Sequence, residues 1–322
     1  MNTQISDLVA FKAAQRYSAN PSALKFLGGF CNSVYEYELK GQSYVMRISY
    51  NSLRTIEMIY AEIDLLRYLA EKGLSVAQPV PSLAGNWLEV AAIEGKEIPV
   101  VAFEKAPGQP PQSHEWNETL FRKMGRFMGT MHHLIREFAQ DDAAYRRPTW
   151  QQDMDAFATA YLSAEDRAIQ ERYGAIRSYL EHLPQGKDNY GLAHLDFHRG
   201  NFFLYEGKLT LFDFDDCQYS WFADDLAMAL FYAVWPQVKS AQEYDFAQRF
   251  YDAFLEEYSR ENTLEERWLL EIPYFLQRRE ISLYMILTSL GENQWDERMK
   301  QFMQGRRERI LGNVPYADLR FA

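Results

Sequence analysis

The sequence contains only two cysteines, Cys31 and Cys217, among 322 residues. Two thiols form at most one disulfide, so a secreted fold held together by several disulfides is excluded. We expect both cysteines to be buried as small hydrophobic residues. The opening segment MNTQISDLVAF has neither the basic block nor the long apolar block of a secretion signal. These features predict a cytoplasmic protein.

Long apolar runs and an excess of positive charge are also missing. The longest apolar run, from Leu226 to Trp235, has ten residues, whereas a membrane-spanning helix needs about 20. Lysine and arginine number 34 and aspartate and glutamate 45, so the formal net charge is −11. This charge repels nucleic acids and anionic membranes. We therefore expect no nucleic-acid or membrane partner and a small polar or cationic substrate; the oligomeric state is not readable from the sequence.

The pattern of apolar residues changes midway along the chain. Short strand-like runs alternate with one helical block over the first hundred residues, and mainly helical spacing follows the tripeptide Ala106-Pro107-Gly108. Such a tripeptide is typical of a hinge. Hydrophobic residues make up 47% of the chain, enough for two cores. The sequence therefore predicts two lobes, residues 1–105 and residues 106–322.

Apolar spacing and end signals predict four helices. They run from about Thr55 to Lys72, from Trp116 to Phe138, onward from Asp225, and from about Pro273 to Gly291. Proline suits the first turn of a helix and glycine suits its end, which fixes the bounds of the last one.

Residues 193–216, AHLDFHRGNFFLYEGKLTLFDFDD, combine strand-like runs with many polar side chains. The run 201–204 and the run 209–213 are separated by a turn around Glu206 and Gly207, which predicts a β-hairpin. Either possible register places Asn201 within one residue of Asp213.

The open end of this hairpin therefore brings an amide oxygen and a carboxylate together, five residues after Asp196. Mg²⁺ takes one or two protein oxygen ligands and fills its shell with water and phosphate oxygens. We predict Asn201 and Asp213 as metal ligands. A purely structural interpretation stays open for each residue alone: Asp196 caps a turn and Asn201 fixes a loop. Asp215 and Asp216 belong either to the electrostatics of the metal site or to a solvated turn.

The segment LGGFCNSVY, residues 27–35, joins two predicted strands. Gly28 and Gly29 permit a tight backbone, and Asn32 and Ser33 can donate hydrogen bonds to phosphate oxygens. An ordinary hairpin is the alternative interpretation.

Glu62 lies on the apolar stripe of the first predicted helix, with Ile59 and Leu66. A buried carboxylate without a partner costs about 3–5 kcal/mol, so a cation must reach it. Arg47, in the strand-like run YVMRI, is the candidate, because a guanidinium can hold a carboxylate with one edge and a phosphate with the other. A structural ion pair is the alternative.

In order, these features resemble the aminoglycoside phosphotransferase family, which has a protein-kinase-like fold and includes choline kinase-like and type II homoserine kinase-like enzymes. The resemblance covers nearly the whole chain. It rests on the glycine loop, VMRI at 45–48, Glu62, FEKAPG at 103–108, HLDFHRGN at 194–201, FDF at 212–214 and DLA at 225–227. It implies an α+β, bilobal fold with a small antiparallel-sheet N-terminal lobe that holds one helix and a larger, mainly helical C-terminal lobe.

The resemblance also implies an ATP- and Mg²⁺-dependent kinase, a phosphotransferase with an alcohol group as acceptor. Asp196 would orient or deprotonate the acceptor hydroxyl, and Arg47, oriented by Glu62, would contact the α- and β-phosphates. The backbone at Glu104 and Ala106 would meet the adenine edge. Asp225 would hold the catalytic loop together, and His198 would be a hydrogen-bonded structural residue.

The chain departs from the family pattern at two positions. Arg47 stands where kinases commonly have lysine, and Leu195 stands where family members often have glycine in HisGlyAsp. We expect Leu195 to narrow the approach to Asp196. Both metal ligands are kept.

Asp213 and Asp225 are 12 positions apart, too few for the long activation segment that eukaryotic protein kinases use to hold peptides. A small polar hydroxyl substrate is therefore favoured, with or without an amine. Three alternatives stay open: a bacterial serine/threonine kinase of the same fold, a nucleotide-binding pseudokinase and a metal-dependent phosphohydrolase. Candidate acceptor-lining groups are Asp153, Asp155, and Arg279 or Glu280; capping and internal ion pairs are their structural alternatives.

Overall fold

The computed structural model describes residues 3–29, 32–50, 54–93, 95–140, 144–235 and 241–320. Cys31 lies outside these residues, whereas Cys217 is buried as expected. The chain divides into two compact units. The first comprises Met1–Gln109, Phe138–Arg147 and Phe203–Asp215, and the second comprises Pro110–Glu137, Pro148–Phe202 and Asp216–Ala322. The lobe boundary between residues 105 and 106 stays a prediction.

The first unit is built on an antiparallel sheet. Its strands pair in the order β1-β2-β3-β6-β4, and β5 pairs with β6. The elements are α1 (Thr3–Arg16), β1 (Lys25–Gly28), β2 (Asn32–Leu39), β3 (Gln42–Ser49), α2 (Ile56–Glu71), β4 (Pro79–Val80), β5 (Glu89–Ile93) and β6 (Lys96–Glu104). Helix α1 is an addition to the one helix that the sequence predicted for this region.

One face of this sheet forms a core with α1. Alternate side chains of a strand point to opposite faces, and Tyr35, Tyr37, Met46 and Ile48 pack in the same buried cluster as the alanines of α1. Arg47, between Met46 and Ile48, therefore lies on the other face.

A hairpin of β8 (Phe202–Tyr205) and β9 (Lys208–Leu211) belongs to the first unit from Phe203 onward. Glu206 and Gly207 have φ of 48° and 77°, the pair of positive values found in a type I′ turn. The predicted hairpin and its turn are confirmed.

The second unit is mainly helical. Strands β7 (Tyr190–Ala193) and β10 (Gln218–Trp221) pair antiparallel, with Gln218 opposite Ala193, and α3 packs against α7. Its helices are α3 (Glu118–Ile135), α4 (Trp150–Tyr161), α5 (Arg167–Leu180), α6 (Phe222–Val234), α7 (Ala241–Glu261), α8 (Glu266–Leu269), α9 (Ile272–Leu290), α10 (Glu297–Met303) and α11 (Arg306–Leu311).

The predicted α+β class, with an antiparallel sheet in the N-terminal region and helices in the C-terminal region, is confirmed. Helix α3 begins two residues later than predicted because the Asn117 side chain caps it by accepting a hydrogen bond from Thr119 N, and it ends at Ile135 instead of Phe138. Among the helices of the described residues, none combines the length and apolar character that a bilayer crossing demands.

Candidate active site

Arg47 and Glu62 form a closed ion pair in the first unit. Arg47 Nη1 donates to Glu62 Oε1 at 2.8 Å, and Nη2 donates to Oε2 at 2.6 Å. The two side chains are 6% and 1% exposed, so this bidentate pair is held away from water. The predicted pairing is confirmed. The contact of Arg47 with phosphates stays a prediction.

Asp215 is a second carboxylate beside Arg47. Its Oδ1 lies 3.9 Å from Arg47 Nη1, and its Oδ2 lies 3.4 Å from Arg54 Nε. Burial raises the pKa of Asp215, but the charges of Arg47, Arg54 and Arg147 together lower it by more. The net pKa therefore lies below the usual range. Asp215 is buried and ion-paired, which excludes a solvated turn for its side chain, whereas Asp216 is exposed.

The glycine loop has the tight backbone that the sequence predicted. Gly28 and Gly29 have φ of 123° and 138°, and a Cβ on Gly29 would collide with the carbonyl oxygen of Asn32. The Asn32 side chain donates from Nδ2 to Asp215 Oδ2 at 3.3 Å. One of the donors predicted for phosphate thus already has a protein acceptor. Phosphate binding by Asn32 and Ser33 stays a prediction.

A cavity of about 380 Å³ follows β6. It is lined by residues 104–108, including Glu104 and Ala106, and by Gln42, Ser43 and Tyr44 at the start of β3. The sequence predicted that the backbone at Glu104 and Ala106 meets adenine. The N–H group of Glu104 already donates to the carbonyl oxygen of Gln78 at 2.8 Å.

Asp213 follows β9 in a left-handed conformation, with φ of 64°. Aspartate tolerates this region better than most residues. The side chain is exposed. Asp213 belongs to the first unit and Asn201 to the second, and their shared role as metal ligands stays a prediction.

In the second unit, β7 leads directly into the loop that carries Asp196. Asp225, in the first turn of α6, accepts hydrogen bonds from the backbone N–H groups of His194 and Leu195, both at 2.8 Å. Asp225 Oδ2 also lies 3.0 Å from His132 Nε2. The predicted role of Asp225 in holding this loop is confirmed. Leu195 is buried and has φ of 60°, which explains why glycine is suited to this position.

The Asp196 carboxylate uses one oxygen within the loop. Asn201 Nδ2 donates to Asp196 Oδ2 at 2.6 Å and to the Asp196 carbonyl oxygen at 2.9 Å. Gly200 N donates to His198 Nδ1, so His198 carries its proton on Nε2, which lies 3.3 Å from Asp196 Oδ2. The prediction that His198 is hydrogen-bonded is confirmed.

These bonds fix the amide of Asn201. Because both donor contacts come from Nδ2, the Oδ1 atom is the part of this side chain that can serve a cation. An amide oxygen is a ligand type that suits a hard divalent ion.

The other oxygen of Asp196 faces a cation. Its Oδ1 lies 3.9 Å from Arg279 Nη2, and Arg279 in turn donates to the hydroxyl of Tyr232. Burial raises the pKa of Asp196. The hydrogen bond and charge of His198 and the charge of Arg279 lower this pKa by more than burial raises it. The net pKa lies below the usual value, so the carboxylate is ionised at neutral pH.

The candidate acceptor-lining residues separate into two groups. Asp155 lies 3.0 Å from Arg177 on the surface, and Glu280 is buried with Arg306 at 2.5 Å, so both have the structural partners that the alternative interpretation requires. Arg279 contacts Asp196 instead.

Two residues of this site were missed from the sequence, His132 and Tyr232. His132 lies in the apolar stripe of α3, and a polar side chain there calls for a buried partner, as Glu62 did in α2. Tyr232 gives no such signal, since α6 is apolar around most of its circumference.

The fold, together with a family match over most of the chain, defines a phosphotransferase. The family model described as phosphotransferase enzyme family (APH) matches residues 22–268, and the chain belongs to this family. The resemblance inferred from the sequence is confirmed; the relation to type II homoserine kinases stays a prediction.

Among particular relatives, amicoumacin kinase of Bacillus subtilis (strain 168) is 34% identical over 317 residues, covering 98% of this chain and 94% of the relative. The structure of amicoumacin kinase hAmiN in complex with AMP-PNP, Ca²⁺ and Ami has a TM-score of 0.91 at 31% identity, covering 100% and 99% of the two chains. A microcompartment-associated aminopropanol kinase, at 19% identity and a TM-score of 0.75 over 97% and 98%, shares the fold. The chain is thus a kinase, a phosphotransferase with an alcohol group as acceptor.

Proposed function

We propose that this chain is an ATP- and Mg²⁺-dependent kinase that phosphorylates a hydroxyl of a small, polar, amine-bearing molecule, and that amicoumacin is the first acceptor to test. The observation that carries the proposal is the arrangement at Asp196. Oδ2 of its ionised carboxylate accepts a hydrogen bond from Asn201. Within the described part of the chain, the nearest cation to Oδ1 is Arg279, at 3.9 Å. This supports Oδ1 as the acceptor of a hydrogen bond from the substrate hydroxyl.

Phosphoryl transfer depends mainly on alignment and on positive charge near the phosphate oxygens. Asp196 orients the hydroxyl and takes its proton. Mg²⁺, when bound, supplies charge neutralisation at the phosphates, and Asn201 through Oδ1 and Asp213 through its carboxylate are its proposed ligands. The proposed nucleotide-binding residues are Gly28, Gly29, Asn32, Ser33, Arg47, Glu62, Glu104 and Ala106.

The similarity to amicoumacin kinase over 98% of the chain supports amicoumacin as an acceptor. The net charge of −11 agrees with a cationic substrate. ATP and Mg²⁺ are both present in the cytoplasm, so we include a cytoplasmic location in the proposal.

The test is ADP formation by the purified chain with ATP, Mg²⁺ and amicoumacin, followed by a panel of amino alcohols. We expect acceptor-dependent ADP and a product heavier by one phosphoryl group. Stoichiometric loss of ATP without a phosphorylated acceptor, or no ADP above background with any member of the panel, overturns the proposal. The Asp196→Asn variant is the control for contaminating kinases.

A further inference from the structure

Two consecutive arginines in α9 have different surroundings. Arg278 donates to the buried Asp224 at 2.6 Å, and Ser220 donates to the same Asp224 oxygen at 2.6 Å. The charge of Arg278 is therefore matched by a buried carboxylate of the protein itself. Arg279 donates to the Tyr232 hydroxyl, and its guanidinium carbon lies 5.2 Å from the centre of the Tyr232 ring.

The charge of Arg279 is only partly matched by its neighbours. Tyr232 is neutral, because burial raises the pKa of its hydroxyl. The nearest carboxylate oxygen described, Asp196 Oδ1, lies at 3.9 Å, which is beyond hydrogen-bond distance. The Nε atom of Arg279 is buried, and within the described part of the chain it has no hydrogen-bond partner. Buried donors in native proteins are almost always paired, with protein or with water, so this Nε atom is a donor that a bound ligand can use.

The position of Arg279 relative to Asp196 determines what it meets. An acceptor hydroxyl bound to Asp196 Oδ1 at about 2.7 Å lies beside the guanidinium of Arg279. A positively charged amine at that point would be repelled. An oxygen carried on a neighbouring carbon of the acceptor would receive a hydrogen bond.

We propose that Arg279 is a specificity-determining residue of the acceptor site, which binds an oxygen (hydroxyl or carbonyl) adjacent to the reacting hydroxyl and keeps the acceptor's amine away from it. Tyr232 holds the guanidinium in this position. This inference rests on the proposed function and deepens it: the acceptor class is a molecule with two neighbouring oxygens and a remote amine.

The experiment compares the wild type with Arg279→Gln and Arg279→Lys. The acceptors are amicoumacin and amicoumacin analogues that lack one oxygen next to the phosphorylated hydroxyl. We expect Arg279→Gln to raise the KM for amicoumacin by about 10- to 100-fold, the loss of one or two hydrogen bonds to a charged group, with the KM for ATP unchanged. Arg279→Lys restores part of the affinity, because it keeps the charge and loses the fork of donors.

The decisive measurement is the cycle of protein and acceptor changes. If Arg279 binds that oxygen, removing it weakens wild-type kcat/KM strongly and hardly affects Arg279→Gln. Equal losses in both proteins overturn the inference, as does a fall in kcat at constant KM. If the wild type phosphorylates no acceptor, the proposed function fails instead, which is a different result.

Arg267→Gln is a matched control. Arg267 also lies over an aromatic ring, 5.0 Å from the centre of Trp268, and its Nε atom lies 3.1 Å from the carboxylate of Glu265. Its side chain is 57% exposed, and its contacts within the described residues do not include Asp196. Its substitution should leave both KM values unchanged. Thermal unfolding and ATP affinity verify that each variant is folded.

Discussion

Two pairs of arginine and carboxylate, one in each unit, differ in how far they satisfy each other. Arg47 and Glu62 are joined by two hydrogen bonds of 2.8 and 2.6 Å and are almost fully buried. Arg279 and Asp196 lie 3.9 Å apart, and both side chains are about one-fifth exposed. In the closed pair, Arg47 and Glu62, both guanidinium donors that face the carboxylate are hydrogen-bonded to it. This pair therefore holds a cation in a fixed position. The open pair keeps a donor and an acceptor for a ligand.

The largest expected effect comes from breaking the open pair at its carboxylate. Asp196→Asn keeps the shape of the side chain but removes the base, and we expect kcat to fall by about 10²- to 10⁴-fold with ATP affinity nearly unchanged. Steady-state kinetics and calorimetric titration of ATP measure the two quantities. Full activity of the variant would show that Asp196 is not the catalytic carboxylate.

Breaking the closed pair should affect stability first. Glu62→Gln leaves the buried guanidinium of Arg47 with Asp215 at 3.9 Å as its nearest remaining carboxylate, and we expect a loss of about 3–5 kcal/mol in the free energy of unfolding. Urea denaturation measures it.

The double variant Arg47→Met, Glu62→Leu sharpens this test. Apolar residues of similar volume often replace a buried ion pair without loss of stability, so the double variant should recover most of the unfolding free energy of the wild type while nucleotide binding stays impaired. If nucleotide binding were also restored, Arg47 would have no role beyond structure.

The loop that carries the open pair stores strain at Leu195. Its φ of 60° costs a residue with a Cβ roughly 1–2 kcal/mol, whereas glycine loses only about 0.5–1 kcal/mol more chain entropy than alanine. Leu195→Ala and Leu195→Gly both remove the same buried side chain. We therefore expect Leu195→Gly to be the more stable of the two by about 0.5–1 kcal/mol in chemical denaturation. The reverse order would contradict a left-handed backbone at this position.

The closed pair was predictable from the sequence, because the evidence for it is local. The apolar spacing predicted α2 to within one residue at each end, and that spacing placed Glu62 on the buried face. The alternation of YVMRI likewise placed one arginine on the face opposite the Met46 and Ile48 core.

The open pair was only partly predictable. Arg279 was a candidate because it interrupts an apolar stripe, but Glu280 does the same, and the sequence did not separate them. The choice depends on which side of α9 meets the Asp196 loop and which meets Arg306, and this is decided by packing between distant elements. Helix α1 was missed because most of the residues from Val9 onward that it buries are alanines, which give a weak apolar pattern.

The last expected effect depends on pH and concerns the anchor of the open pair. His132 Nε2 lies 3.0 Å from Asp225, and His132 Nδ1 lies 2.9 Å from the Tyr258 hydroxyl. Burial lowers the pKa of His132 below its usual value, although the hydrogen bond and charge of Asp225 raise it. The unfolded chain takes up a proton on this histidine below about pH 6.5, and the folded protein does so only at lower pH. The unfolded state therefore binds more protons in this window, and stability falls as the pH decreases through it, by at most about 1.4 kcal/mol per pH unit.

Adjacent histidines on α3 separate this effect from general acid destabilisation. His132 is buried and His133 is exposed, so His132→Gln should flatten the dependence of unfolding free energy on pH between about 7.5 and 5.5, whereas His133→Gln should leave it as in the wild type. Equal slopes for the two variants would mean that His132 does not titrate differently on folding. Because Asp225 also holds the backbone of His194 and Leu195, a kcat that falls at the lower pH where the folded protein protonates His132, in the wild type but not in the His132 variant, would connect this anchor to the alignment of Asp196.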